Sequence, residues 1–68
     1  MTVYSTRDEA IYNEIIIPLG QYADEHDIEA IADEIILQGN LGNGEVCYYN
    51  TLEDEPDNFW DVVANNAK

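Results

Sequence analysis

Apolar residues recur at helical spacing in three separate segments of this chain. The first predicted helix covers residues 7–17 and begins with a capping box formed by Thr6 and Glu9. Pro18 and Gly20 are expected to end or kink it, because proline removes a backbone donor and glycine adopts conformations outside the helix. The apolar stripe of this helix consists of Ile11, Tyr12, Ile15 and Ile16.

A second helix is predicted from an Asp27 cap to about Gln38, with Gly39 as its stop signal. The third predicted helix begins at Pro56, a residue well suited to the first helical position. The stripe of the second helix is Ile28, Ile31, Ala32, Ile35 and Ile36, and that of the third is Phe59, Trp60, Val62 and Val63.

Residues 45–50 are the only good strand candidate, and they follow a loop with three glycines. Residues 2–4 are the expected internal partner of this strand, and the same strand of a second molecule is the alternative, which would give a homodimer. The sequence therefore predicts one small α+β domain over residues 1–68. The domain is mostly helical, in the order (β)-α-α-β-α, with at most a short two-stranded sheet. A three-helix bundle is the alternative architecture.

One apolar residue set is expected to form the core, because each member lies on the apolar side of its element. A chain this short has a small core, so each buried side chain contributes a large share of the stability. The expected core residues are Ile11, Ile15, Ile31, Ile35, Val46, Phe59, Trp60 and Val63.

Charge is the strongest functional signal in the composition. Fifteen acidic residues stand against two basic ones, which gives a formal net charge of −13 over 68 residues. The 46% of hydrophobic residues argues against an acidic disordered tail, and the missing basic footprint argues against direct nucleic-acid binding. No apolar run is long enough for a membrane span and no secretory signal is visible, so we expect a cytoplasmic protein without membrane contact.

The residues that usually carry covalent catalysis are scarce. The chain has one His, one Cys and one Ser, and the expected roles of Cys47 and His26 are a buried hydrophobe and a solvated loop residue. We therefore predict no enzymatic activity, no cofactor and no dedicated metal site. Loose association of Ca²⁺ or Mg²⁺ with the acidic loops is a third, weaker alternative.

The acidic residues are concentrated in two segments. Six lie in residues 24–34 and five in residues 53–61, and two pairs, Glu29 with Asp33 and Asp57 with Asp61, have the spacing of neighbours on a helix face. No lysine or arginine lies between them, so we expect their repulsion to be unrelieved. The predicted partner-binding residues are Asp24, Glu25, Asp27, Glu29, Asp33, Glu34, Glu53, Asp54, Glu55, Asp57 and Asp61.

In size, charge and acidic helix faces the chain resembles the small acidic nucleic-acid mimics of phages and mobile elements, including anti-CRISPR and anti-restriction inhibitors. The resemblance is one of composition over the whole chain. It implies a non-enzymatic inhibitor in the bacterial host cytoplasm whose carboxylates imitate backbone phosphates and block a basic nucleic-acid-binding protein or complex. An acidic protein-interaction module or adaptor, with Tyr48, Tyr49 and Trp60 as its contact surface, is the alternative.

Overall fold

The computed structural model of the protein describes residues 2–68 and confirms the α+β class, with 55% helix and one two-stranded antiparallel sheet. The three-helix bundle is therefore wrong. In chain order the elements are α1 (Arg7–Ile11), a π turn (Tyr12–Ile16), α2 (Ile17–Leu19), a 3₁₀ helix (Gly20–Glu25), α3 (Ile28–Ile35), β1 (Ile36–Asn40), β2 (Val46–Asn50) and α4 (Pro56–Asn65).

The first helical run begins as predicted, and of the two expected end signals Gly20, not Pro18, ends its α-helical part. The Thr6 hydroxyl accepts a hydrogen bond from the Glu9 amide at 3.1 Å, which caps α1. The π turn ends at Ile16, and Pro18, which cannot donate a backbone hydrogen bond, lies in the first turn of α2. Gly20 then ends the α-helical part with a φ of 57° and a ψ of −125°, a combination that residues with a Cβ rarely adopt.

The second predicted helix is correct at its start and wrong at its end. The Asp27 carboxylate accepts from the Ala30 amide at 3.2 Å and caps α3, which stops at Ile35 rather than Gln38. Gly39 is consequently a strand residue and not a helix stop. Ile36 lies on the buried side in either conformation, so the apolar pattern could not distinguish a continuing helix from a strand.

The main partner of β2 is β1, which was expected to be helical, and the predicted pairing of residues 2–4 with β2 is present only at Tyr4. The hairpin pairs Leu37 with Tyr49 and Gly39 with Cys47, across a loop in which Gly42 and Gly44 both have a φ of 88°. Residues 2–4 contribute a single bridge, in which the Tyr4 and Tyr48 amides donate to each other's carbonyls at 2.9 Å. The sheet has no third strand within residues 2–68, so the outer edge of β1 is unpaired.

The core lies where α1, the π turn, α3 and α4 meet under the sheet. Six of the eight expected core residues are buried there, and Ile15, Ile31 and Ile35 are at most 1% exposed. Val46 and Trp60 are 40% and 49% exposed, so their predicted burial is wrong. Val46 is the first residue of β2 beside the glycine loop, while the α4 positions that face the core are Phe59 and Val63. Tyr12, placed on the first apolar stripe, is also exposed.

The C-terminal residues fold back along the end of the 3₁₀ helix. The Asp27 amide donates to the Asn66 carbonyl, and the Lys68 amide donates to the Glu25 carbonyl, each at 2.9 Å. No helix within residues 2–68 has the length and apolar character needed to cross a bilayer.

Candidate acidic partner-binding surface

The first acidic segment, residues 24–34, covers the end of the 3₁₀ helix and the outer side of α3. All six of its carboxylates are exposed, because the apolar stripe of α3 faces the core and the acids occupy the positions between. Two of them have structural roles: Asp27 caps α3, and Glu34 accepts from the Asn66 side-chain amide at 3.0 Å. The segment therefore presents acids from a rigid, capped helix.

Arg7 neutralises part of this segment, which the sequence analysis did not anticipate. Its guanidinium donates to the Glu29 carboxylate at 3.0 Å and to the Asp33 carboxylate at 2.8 Å, reaching across from α1. The hydrogen bond to Glu29 raises the pKa of Arg7 further above its usual range. The expectation that no cation relieves this pair is wrong, because a residue distant in sequence lies between the two carboxylates in space.

The second acidic segment, residues 53–61, covers the turn before α4 and the first half of that helix. Glu53 is half-buried, and both of its carboxylate oxygens accept from the Thr2 amide, at 3.1 and 3.3 Å. These hydrogen bonds from Thr2 lower the pKa of Glu53. Glu55 accepts from the Asn58 side chain at 3.2 Å. Glu53 and Glu55 thus fix the local chain, which leaves the other acids of the segment free.

Five of the eleven predicted partner-binding side chains make no hydrogen bond or ion pair with any group in residues 2–68. All five are exposed, and they come from both segments: Asp24, Glu25, Asp54, Asp57 and Asp61. The structure brings the two segments onto neighbouring elements, because α3 and α4 pack against each other through the shared core. The Asn66 side-chain amide, which donates to Glu34 and to the Val62 carbonyl, links the two helices at one end.

No three His, Cys, Asp or Glu side chains within residues 2–68 converge in a way that could hold a metal ion. The acids of both segments follow the outside of helices and turns instead of pointing at a common centre. What this arrangement offers chemically is an extended anionic surface.

One half-buried carboxylate lies outside both segments. Glu14, in the π turn, accepts from the Tyr4 hydroxyl at 2.8 Å and from the Asn50 amide at 3.5 Å. Burial and then this hydrogen bond to Glu14 raise the pKa of Tyr4 to about 12. No local sequence pattern indicates the role of Glu14, because its partners lie 10 and 36 residues away. The cluster joins the N-terminal segment, the first helical run and the hairpin.

Comparison of the chain with protein-family models, curated protein sequences and solved structures returned no match in any of the three. The function must therefore be argued from the surface itself.

Two grooves meet at Pro18 and Trp60. One has a volume of about 510 Å³ and is bordered by Pro18, Tyr22, His26 and Trp60, together with Leu19, Val63 and Ala64. The other has a volume of about 200 Å³ and includes Pro18, Pro56 and Trp60. Of the three aromatic residues expected to form an alternative contact surface, Trp60 is exposed, whereas Tyr48 and Tyr49 are half-buried in the sheet. Tyr22 also borders the groove, although no sequence pattern marked it as a contact residue, because it lies alone in a polar connection.

Proposed function

We propose that this protein is a non-enzymatic inhibitor that occupies a basic nucleic-acid-binding surface on a bacterial defence complex of the anti-CRISPR or anti-restriction type. The observation that carries the proposal is the row of exposed carboxylates held on α3, α4 and the turns before them. Five of these carboxylates have no compensating group within residues 2–68. The proposal places the protein in the cytoplasm of a bacterial host.

Rigid acids at intervals of several ångströms are the protein equivalent of a phosphate backbone. Asp57 and Asp61 are one helical turn apart on α4, about 6 Å along the axis. Duplex DNA carries one charge per about 1.7 Å of axis, so a groove built for DNA has a dense positive field that such a surface can enter. Capping by Asp27 and packing of both helices on the core fix the backbone that carries the carboxylates, which limits the backbone entropy lost on binding.

Competition with nucleic acid is the direct test. A labelled DNA duplex is bound to purified restriction or CRISPR complexes, and the protein is added at increasing salt concentrations. We expect displacement of the duplex that weakens steeply as salt rises, because the attraction between exposed charges is screened. Binding that is insensitive to salt and simultaneous with DNA would contradict mimicry.

Charge reversal locates the surface. Changing Asp57 and Asp61 together to lysine shifts the net charge by +4 at two free carboxylates, and we expect a strong loss of binding through a slower association rate. Reversal of Asp8 and Glu45, which are exposed outside both segments, gives a matched control with the same charge change. Equal loss in both variants, with folding confirmed by circular dichroism, would mean that net charge rather than a defined surface drives binding.

Glu29 and Asp33 are a less clean target than Asp57 and Asp61. Lysines at these positions would lie beside Arg7, so folding and binding would change together. Single changes such as Asp33→Ala should cost little affinity, since neighbouring acids still supply the field.

The exposed Trp60 supports a second candidate function, an acidic protein-interaction module or adaptor. Its indole is 49% exposed beside an apolar groove, and aromatic residues of this kind are enriched at interface hot spots. An adaptor that docks through this groove would retain its affinity at moderate salt and would tolerate nucleic acid on its partner. The salt series of the competition experiment therefore separates the two functions.

A further inference from the structure

The groove beside Trp60 has aromatic and apolar walls. Tyr22 and Trp60 are 55% and 49% exposed, and both border the same space of about 510 Å³. Leu19, which is buried, and Pro18 form the apolar part of its wall. Two large aromatic side chains bordering one groove offer π faces to a ligand.

The groove is held in shape by contacts beneath and beside it. The Trp60 ring packs edge-on against buried Phe59, with centroids 5.0 Å apart and planes at 81°. The His26 Nδ1 donates to the Tyr22 carbonyl at 2.8 Å, since a carbonyl oxygen can only accept. The Trp60 ring and the backbone that carries Tyr22 are therefore held in place before a ligand arrives, which limits the ordering needed on binding.

Two carboxylates share a helix side with the aromatic residues of this groove. Glu25 lies three residues after Tyr22 in the 3₁₀ helix, where residues three apart eclipse each other, and its carboxylate is free. On α4, Asp57 lies one turn before Trp60 on the same side of the helix, and its carboxylate is also free. These two carboxylates add a local attraction for cations to that of the net charge of −13.

We propose that this groove receives an arginine side chain of the basic partner, with the guanidinium at the Tyr22 and Trp60 rings and within the field of the surrounding carboxylates. Arginine matches both properties of the site, because its planar cation stacks on aromatic rings and is attracted to carboxylates. A second copy of the chain is a poor occupant, since each copy carries a net charge of −13.

This inference deepens the proposed function by naming a side chain that the partner inserts. The groove would also add selectivity to the electrostatic attraction. The carboxylates attract any cation, whereas the aromatic walls favour a planar one. An inhibitor with such a pocket would select basic surfaces that present an accessible arginine.

The test uses Trp60 as its own reporter, because it is the only tryptophan in the chain. The folded protein is titrated at low salt with acetyl-Ala-Arg-Ala-amide while Trp60 fluorescence and the indole NMR signal are followed. We expect a saturable change with the arginine peptide. The same peptide with citrulline, which has nearly the same shape without the charge, should bind at least about fivefold more weakly.

Matched tyrosine variants separate the groove from the general acidic field. Tyr12 and Tyr22 are both 55% exposed, but only Tyr22 borders the groove. Tyr22→Ser should weaken binding of the arginine peptide by about two- to fivefold, the contribution of one partly exposed cation–π contact, while Tyr12→Ser should leave it unchanged. Circular dichroism confirms that both variants fold.

Three results would overturn the arginine site: no saturable change at Trp60, equal affinity for the citrulline peptide, or equal weakening by both serine variants. None of them affects the competition between this protein and DNA for a defence complex, which depends on Asp57, Asp61 and salt. The peptide titration therefore tests the arginine site, and the DNA competition separately tests nucleic-acid mimicry.

Discussion

Arg7 forms the only ion pairs within residues 2–68, and it forms them with two carboxylates that would otherwise repel each other. Glu29 and Asp33 are more than 70% exposed, so each contact is a surface ion pair with a contribution of about 0.2–1 kcal/mol. The guanidinium also ties α1 to α3. Its removal takes away both attractions and restores the repulsion between the two acids.

We therefore expect Arg7→Met to lower the free energy of unfolding by about 1 kcal/mol at low salt, with a smaller loss at high salt. Urea denaturation measured at two salt concentrations gives both values. Lys68→Met removes the same charge from a side chain without an ion pair, and it should have much less effect. Equal losses in the two variants would show that net charge, and not the Arg7 contacts, is responsible.

Tyr4 predicts how the protein responds to alkaline pH. Because the pKa of Tyr4 is raised to about 12, from an ordinary value of 10, the folded chain retains a proton that the unfolded chain loses. The corresponding stability is complete below pH 10 and is lost as pH rises from 10 to 12. Tyr4→Phe cannot ionise, so its free energy of unfolding should fall less than that of the unmodified protein over this interval.

Denaturation at pH 9, 10.5 and 11.5 measures this difference. Parallel pH profiles in the two proteins would mean that the Tyr4 hydroxyl lacks the combined burial and Glu14 hydrogen bond that raise its pKa. The sign is opposite for Glu53, whose pKa is lowered by the Thr2 amide. Its contribution is present at neutral pH and disappears on strong acidification.

At the scale of elements, the sequence predicted the helix starts well and the ends poorly. Thr6, Asp27 and Pro56 are local signals whose physical effect is complete within one helical turn, and all three mark helix starts in the structure. The end of α3 depends instead on pairing with residues 46–50, beyond a glycine loop. No local pattern carries that information. The exposure of most of the acids could likewise be predicted from the local helical pattern. The contacts of Arg7 and Thr2 with some of these acids could not, because they join residues far apart in sequence.

Ile35 marks the point where α3 becomes β1, and its side chain is 1% exposed. We expect Ile35→Ala to cost about 2–5 kcal/mol, the range found when a buried large aliphatic residue leaves a cavity. Leu37→Ala, two residues further on at a 45% exposed position, should cost far less. Thermal or urea unfolding compares the two, and similar losses would contradict the inward position of Ile35.

Gly20 ends the α-helical part of the first helical run by adopting a positive φ. A Cβ at this position would meet no atom within 4 Å, so any effect of Gly20→Ala comes from the backbone alone. With a φ of 57° and a ψ of −125°, we expect a loss of about 1–3 kcal/mol. A chemically synthesised chain with d-alanine at this position is the control, because the d-residue accepts positive φ and should retain most of the stability.

For the whole molecule, repulsion among the carboxylates opposes the compact state. Fifteen acids and two bases give a net charge of −13, and eight of the exposed acidic side chains make no hydrogen bond or ion pair within residues 2–68. Added salt screens this repulsion and weakens the Arg7 pairs at the same time, but the pairs contribute only about 1 kcal/mol together. The repulsion should dominate.

The melting temperature of the free protein should therefore rise with salt, and it should also rise between pH 7 and pH 5.5 as some carboxylates become protonated. Differential scanning calorimetry at several salt concentrations measures the effect. A melting temperature that decreases under both changes would show that specific carboxylate contacts, such as those of Glu14, Glu53 and Asp27, outweigh the repulsion.

The unpaired edge of β1 makes the solubility of the protein depend on its net charge. The hydrogen bonds from Thr51 to Ile35 and from Leu41 to Glu45 fix the alternation of the hairpin, so the backbone groups of Gln38 and Asn40 point away from β2. Residues 35–44 contain no charged side chain, so no local charge opposes the pairing of this edge with another strand. Electrostatic repulsion between molecules of the same net charge then opposes the pairing of one β1 edge with that of another molecule. As the pH approaches the isoelectric point of about 4.1, that barrier disappears, and light scattering should detect aggregates growing through this edge.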